Sequence, residues 1–443
     1  MSSYSNVVTE IVDPVFDRAN SRAEFRLPEG NVYLSSMRLL NVGIASSDTT
    51  RYNPAAGAYG ALKSVSIYDG SELLDQFRLA PLLSAIKGFG RSNDENLSMN
   101  RHLKYNGLGY TAEGVYDLSG NEFKAGPPKV ECQNFEILEN AVDATPEEAW
   151  ISLKDILSFL GSSMVVPTTL FRQLRIVVEY NSPAENKYNL VKTNAAGVTS
   201  TSDALMVVDR VADGAMADKL MSSYRGVVYH PLETDQVRVV DVPNASKSGA
   251  NPGNAAAAQH EQSSSFLLNG FNNKTLKRCM IVKQPTETTS LESGNTLIGY
   301  GKLQSASMWR SSFQLRVNGS NVLPGTALEG SDTACVSNRR LALLTDTWGA
   351  QNIVQGFQYT GFEKQSDYIS ADVSGGNILQ RVGQQDFVGC EVGQRIQELI
   401  LEVGRYGVDN DRHSSQPLDV VVVGEVVKAV ALDGRGGYVV QYL

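Results

Sequence analysis

Histidine, cysteine and tryptophan are scarce in this chain, and each scarcity removes a class of function. The four histidines, His102, His230, His260 and His413, are scattered over 443 residues and no HExxH motif is present. No two share a metal-ligand spacing, so no metal site and no metal cofactor is expected. The four cysteines, Cys132, Cys279, Cys335 and Cys390, are equally dispersed. Without a CxxC pair the local zinc and redox motifs are excluded, and buried thiols in a reducing compartment are the expectation. No stretch approaches the roughly 18 consecutive apolar residues of a membrane span. The segment Met1 to Asn6 has neither the basic start nor the apolar core of a secretory leader. Synthesis and assembly inside a cell are therefore expected, and the Asn-x-Ser/Thr sequences at Asn96, Asn244, Asn273 and Asn318 read as chance.

Positive charge is also short. Thirty-nine Lys and Arg face 48 Asp and Glu, a formal net charge of -9, which argues against a surface that coats nucleic acid, because phosphate neutralisation needs clustered cations. The one local basic group, Lys274, Lys277 and Arg278, reads as a solvated strand edge. Catalytic signatures are missing too. No GxSxG elbow occurs, and the glycine clusters Gly107-Leu108-Gly109 and Gly434-Arg435-Gly436-Gly437 precede no helical pattern, so they read as turns and not as phosphate cradles. Acid pairs such as Glu147 with Glu148, or Glu391 with Asp411, have nothing beyond their chemistry to mark a glycosidase site. Glu147 and Glu148 fit the acidic first turn of a helix better. Trp150, Trp309 and Trp348 are able to stack on sugars, yet as single residues within apolar runs they read as core anchors. No catalytic, cofactor-binding or metal-ligating residue is assigned.

What the chain does contain is β pattern. Short runs rich in Val, Ile, Leu and Tyr alternate with Gly, Asn, Asp, Pro and Ser clusters, the layout of sandwiches and barrels. Ala23 to Leu27 meets the turn Pro28-Glu29-Gly30, and Val32 to Ile44 follows. Leu62 to Tyr68 alternates, with Leu62, Ser64, Ser66 and Tyr68 on one face. Asp69-Gly70 then predicts a hairpin into Glu72 to Phe77. Further strands are expected at Leu170 to Tyr180, Arg225 to Val242, Phe266 to Leu268, Leu276 to Val282, Met308 to Val317, Glu398 to Val403 and Leu418 to Leu432. The apolar terminus Tyr438 to Leu443 is expected to be sheet-paired.

Helices are few. Trp150 to Leu160 fits either a helix or a strand over Ala149 to Leu153 followed by one helical turn, and periodicity does not choose between them. Asp209 to Met221 is a second helix candidate, weakened by Gly214. Asn181 to Asp203 and Asn244 to Ser265 have loop composition. A faint repeat links Phe25-Arg26-Leu27-Pro28-Glu29-Gly30 to Phe266-Leu267-Leu268-Asn269-Gly270, offset by 241 residues from Phe25 to Phe266. It favours two similar barrels over one large domain.

Several of these words, in order, resemble the double jelly-roll major capsid proteins of polinton-like viruses and virophages. They are Phe25-Arg26-Leu27-Pro28 with Leu34-Ser35-Ser36, Ile67-Tyr68-Asp69-Gly70 with Leu73-Leu74, and Ile151 to Leu160 running through Val166-Pro167 to Arg175-Ile176-Val177-Val178-Glu179-Tyr180. Phe271 to Lys274, Gln314 to Gly319, Asn338 to Leu344 and Asp346 to Gly349 extend the likeness. The resemblance implies an all-β chain of two fused eight-stranded jelly-roll sandwiches with long loop insertions and a few short helices. It places an N-terminal arm at 1–20, a first jelly roll at 21–224 and a second at 225–443. It further implies a non-enzymatic subunit that forms a homotrimer, a pseudo-hexameric capsomer of an icosahedral double-stranded DNA virion. Neighbouring capsomers, penton proteins and minor capsid proteins would be its partners, and no specific nucleic-acid binding is expected. An inner membrane beneath the shell is compatible with the resemblance and not implied by it. Asn93 to Lys129 and Asn244 to Ser265 would supply tower loops and inter-subunit contacts. The arm would reach a neighbouring subunit or an inner protein. The competing expectation is a carbohydrate-binding adhesin or a viral spike or fibre, built from similar sandwiches but with exposed aromatic platforms.

Overall fold

The β-branched runs fold into two sandwiches in the computed structural model, which describes residues 6–19, 21–42, 50–52, 57–89, 114–117, 122–125, 150–182, 190–192, 203–239, 260–285, 310–323, 347, 388–407, 418–433 and 437–443. The first sandwich has eight strand positions. They are β1 (Val7–Val12), β2 (Arg22–Arg26), β3 (in two pieces, Val32–Leu34 and Arg38–Leu40), β4 (Leu62–Asp69), β5 (Glu72–Arg78), β6 (in two pieces, Trp150–Ser152 and Val165–Pro167), β7 (Leu174–Tyr180) and β8 (Leu205–Val211). One sheet runs β1-β8-β3-β6 and the other β2-β7-β4-β5, with the short strand Phe16–Arg18 paired outside β2 and every pair antiparallel.

The second sandwich comprises β9 (Leu232–Val239), β10 (His260–Leu267), β11 (Thr275–Pro285), β12 (Arg310–Val317), β13 (Ser320–Asn321), β14 (Val388–Arg395), β15 (Leu399–Gly407) and β16 (Leu418–Val426). Its sheets run β9-β16-β11-β14 and β10-β15-β12-β13. Adding eight to each label of the first sandwich reproduces this order, which is the jelly-roll order in both halves. The longest connection occupies the same place in each: residues 79–149 between β5 and β6, and 322–387 between β13 and β14.

Local chemistry explains the turns. The β4–β5 hairpin closes through a two-residue loop, since Asp69 pairs with Glu72 and Gly70 takes the positive φ of 58° that such a loop needs. Alternation along β4 survives, but both of its faces are covered. Ser64 and Ser66 are buried with Val65 and Ile67, and the Ser64 hydroxyl donates to Glu179 at 2.6 Å.

Several expectations are corrected. Within the segment 1–20 expected as an arm, Val7–Val12 is a strand paired with Val211 to Met206 along six residues. Trp150 to Leu160 takes the strand-first reading. Trp150–Ser152 pairs with Leu40 to Arg38, and two short helical turns, Leu153–Ile156 and Ser158–Ser162, follow. The second helix starts later than expected, at Gly214–Ser223, because Asp209 and Arg210 are claimed by the ladder with β1; Asp213 caps it by accepting the Ala215 N–H at 3.0 Å. From His260 onward the expected loop Asn244 to Ser265 is strand β10, held by pairing with β15. The helix Ala80–Phe89 is not among the expected elements although its sequence is mainly apolar, and the strand β14 carries too much glycine and polarity to have stood out. Of Asn93 to Lys129, only the hairpin Gly114–Asp117 with Glu122–Ala125 falls within the described residues.

The run Val420-Val421-Val422-Val423 accounts for how the sandwiches meet. All four are fully buried, yet a strand alternates its faces. Val420 and Val422 pack into the second sandwich with Cys279 and Ile281. Val421 and Val423 point the other way with Met280 and Val282, and join the core cluster of the first sandwich. One sheet of the second barrel is therefore buried on both faces, and its sequence reads as a continuous apolar run for that reason.

Candidate functional site

The densest polar chemistry among the described residues lies in the seam between the barrels. It begins with a liability. Strand β5 is an edge strand, and a register shift opposite Ile67 and Tyr68 leaves Leu74 without a ladder partner. Edge carbonyls of this kind need donors once water is excluded. The second barrel supplies them. Lys428 Nζ donates to Leu73 O at 2.7 Å and to Leu74 O at 3.0 Å, and the Tyr229 hydroxyl donates to Leu74 O at 2.5 Å.

Both donors come from one small sheet, Val227–Tyr229 with Lys428–Leu432 and Tyr438–Tyr442, which bridges the two sandwiches. Gly226 allows its close entry: at φ 91° a Cβ there would stand 2.2 Å from Val430 O. Tyr438 adds a third tie by donating to Asp69 at 2.6 Å, and its ring lies 4.8 Å from that of Phe171. Phe159 packs edge-on against both Phe171 and Tyr229, each at 5.5 Å, the favoured geometry for aromatic pairs.

Buried charge sits behind these contacts. Asp75 on β5 accepts from the Phe159 N–H at 2.8 Å, the Ser158 hydroxyl at 2.9 Å and the Gln76 N–H at 2.8 Å. Burial pushes its carboxyl above the ordinary range, while those three hydrogen bonds and nearby Lys428 pull it back. Burial likewise lowers the Lys428 ammonium, opposed by Asp75, Glu233 and Glu72. The Tyr442 ring lies 5.1 Å from the Lys428 ammonium and 4.7 Å from that of Lys274, and its hydroxyl donates to Glu233 at 2.7 Å. Lys274 closes the network on Glu233 and on Gly270 O. Burial raises Tyr229, Tyr438 and Tyr442 well above the usual phenol range, so all three remain hydroxyl donors. The arrangement caps the edge carbonyls and neutralises the buried charges where the two barrels meet.

Of the basic trio expected as a solvated edge, only Lys277 is mainly exposed, its side chain at 53%. Lys274 is part-buried on Glu233, while Lys277 (3.2 Å) and Arg278 both reach Glu425, whose side chain is 7% exposed. Trp150 is part-buried at the edge of the first barrel, with the Arg38 guanidinium 5.9 Å above its ring. Trp309 and Trp348 lie outside the described residues, as do Glu147, Glu148, Asp411, His102 and His413. Glu391 is exposed on β14, and His230 sits between Tyr229 and β9. No cluster of metal-ligating groups occurs among the described residues. The seam residues went unassigned in the sequence, but a signal existed: Glu425 and Lys428 interrupt an otherwise continuous apolar stretch from Val420 to Leu432. A charge inside such a stretch is buried with a partner.

No family model matches the sequence, and no curated protein matches it. Solved structures do match. The Faustovirus major capsid protein superposes with a TM-score of 0.52 at 9% identity, covering 98% of this chain and 92% of that one. A PBCV-1 virus capsid chain gives 0.51 at 11% identity, covering 100% and 98%. A chain of the Sputnik virophage structure gives 0.51 at 10% identity, covering 98% and 88%. At these identities the likeness is one of fold, and it extends over nearly the whole chain: the double jelly roll.

Proposed function

We propose that this double jelly-roll chain is a viral major capsid protein, a structural subunit without catalytic activity whose place is the virion shell. The observation that carries the reading is the duplicated strand order sealed by the Asp75–Lys428–Tyr229 seam. Two equivalent barrels fixed as one block give three copies a six-barrelled outline, which is how a trimer occupies a pseudo-hexagonal position in an icosahedral lattice. The structural neighbours with capsid in their names support this, and so does the resemblance in sequence. The chain divides near 224/225, the first barrel ending with the helix Gly214–Ser223.

The homotrimer would meet neighbouring capsomers, penton proteins and minor capsid proteins. Strand β1 supports such contacts, because it is an edge strand with Ile11 64% exposed, followed by Val15 at 61% and by Phe16. Isolated exposed apolar residues are ordinary; several together on a sheet edge mark a contact surface. Light scattering with negative-stain imaging of the purified chain tests the proposal. A stable species near three times 48.0 kDa with a hexagonal outline is expected. A monodisperse monomer that binds glycans would overturn it in favour of the adhesin.

A further inference from the structure

Cys279 and Cys390 are far apart in the chain, yet they are direct partners in the antiparallel ladder of β11 with β14. Opposed residues in such a ladder have Cα atoms about 4.5–5.5 Å apart, within the roughly 4.4–6.8 Å that disulfides span. Both side chains point into the core of the second barrel, at 0% and 3% exposure, so the sulfurs share one face. A thiol–thiol hydrogen bond already joins them, and the Cys390 thiol also lies 3.4 Å from Glu391 O. No bond joins the two sulfurs in this structure. Strand β14 is an edge of its sheet and begins directly after the long connection 322–387, so only the ladder with β11 holds it and it can lift without breaking a second strand pairing.

We propose that Cys279 and Cys390 form a cross-strand disulfide in an oxidising environment, stapling the edge strand β14 to β11 and locking the second barrel. The oxidant is a small-molecule disulfide of the glutathione class. One cysteine thiolate attacks it, releasing one small thiol and leaving a mixed disulfide on the protein. The second thiolate then attacks the protein-bound sulfur, forming the S–S bond and expelling the second small thiol. Two protein S–H bonds are lost, and two small-molecule thiols carry away the protons and the electron pair. The hydrogen bond with Cys390, and then burial, keep the Cys279 thiol protonated, and burial excludes the oxidant, so the reaction waits on transient lifting of β14. Once closed, the bond ties off the connection 322–387 and removes the route by which β14 detaches. The inference is independent of the capsid reading.

The test is incubation of the full, unsubstituted chain with oxidised glutathione, followed by intact-mass measurement, non-reducing peptide mapping and thermal melting. The expected result is loss of two thiols, the mass of two hydrogens, and one linked peptide pair containing Cys279 and Cys390. The melting midpoint should stand several degrees above that of the same sample treated with dithiothreitol. Cys390→Ser should abolish the link and leave Cys279 as a glutathione adduct. Stable mixed disulfides without the link would overturn the proposal. So would a link from either residue to Cys132 or Cys335, no loss of thiols on mild warming, or a link that fails to raise the midpoint.

Discussion

Replacing Lys428 by Met keeps an unbranched side chain, one atom shorter, and removes its charge. Three consequences follow from the seam geometry. Leu73 O loses its donor at 2.7 Å, Leu74 O keeps only the Tyr229 hydroxyl, and the buried Asp75 carboxylate loses a nearby cation. An unpaired buried carbonyl costs about 1–3 kcal/mol, and breaking a buried charge arrangement from one side costs about 3–5 kcal/mol. Because these overlap, about 3–5 kcal/mol in total is expected, not their sum. At roughly 2–4 °C per kcal/mol for a domain of this size, the melting midpoint falls by about 6–20 °C. Urea titrations read by tryptophan fluorescence and by far-ultraviolet circular dichroism should diverge in the variant, since the barrels lose their tie, and coincide in the parent protein. Adding Asp75→Asn to Lys428→Met should recover part of the loss, because the uncompensated charge is then gone. A Lys428→Met protein within about 1 kcal/mol of the parent, with coincident transitions, would refute the view that this cation holds the seam.

The remaining predictions concern the same seam and the outer edge. The Asp75 carboxyl lies above its ordinary 3.8 in the folded chain, so the folded state binds its proton more tightly than the unfolded state does. Its contribution is therefore fully present below 3.8 and is lost as pH rises through the folded value. Melting midpoints from pH 3 to 7 should show the parent losing ground to Asp75→Asn across that window; a constant difference would count against the assignment. Gly226→Ala puts a Cβ against Val430 O at a φ of 91°, and a loss of about 2–4 kcal/mol is expected from denaturant midpoints. Ile11→Asp, on a side chain 64% exposed, should leave the monomer melting within about 0.5 kcal/mol of the parent while light scattering shows loss of the trimer. A trimer that survives the change would remove β1 from the subunit interface.

Much of the fold was legible because a period of two is hard to disguise. The hairpin at Asp69-Gly70 was readable from one dipeptide. The faint repeat from Phe25 to Phe266 joins equivalent strands: Phe25 lies on β2 opposite Ile176, and Phe266 on β10 opposite Leu401. What was hidden depended on long-range pairing. Val7–Val12 looks like a stray terminal segment until β8 arrives nearly 200 residues later to pair with it. His260 to Ser265 is polar throughout and becomes strand only because β15 presents a ladder. The seam was hardest to see. Tyr229 and Lys428 acquire their meaning from the bulged edge that carries Asp75 in the first barrel, and of the three only Lys428, a charge inside an apolar run, is marked by local sequence.

The duplicated placement of the two longest connections has a consequence for how such a chain tolerates change. Each leaves its barrel after the fifth strand and returns at the sixth, so residues added there lengthen neither a strand nor a core layer, and closing a longer loop costs little extra entropy. Each barrel thus carries one connection that can take inserted residues, provided that the core helix Ala80–Phe89 in the first and the Arg278 contact with Thr347 O in the second are kept. Three copies assembled as proposed would carry six such connections in two alternating kinds, one kind from each barrel.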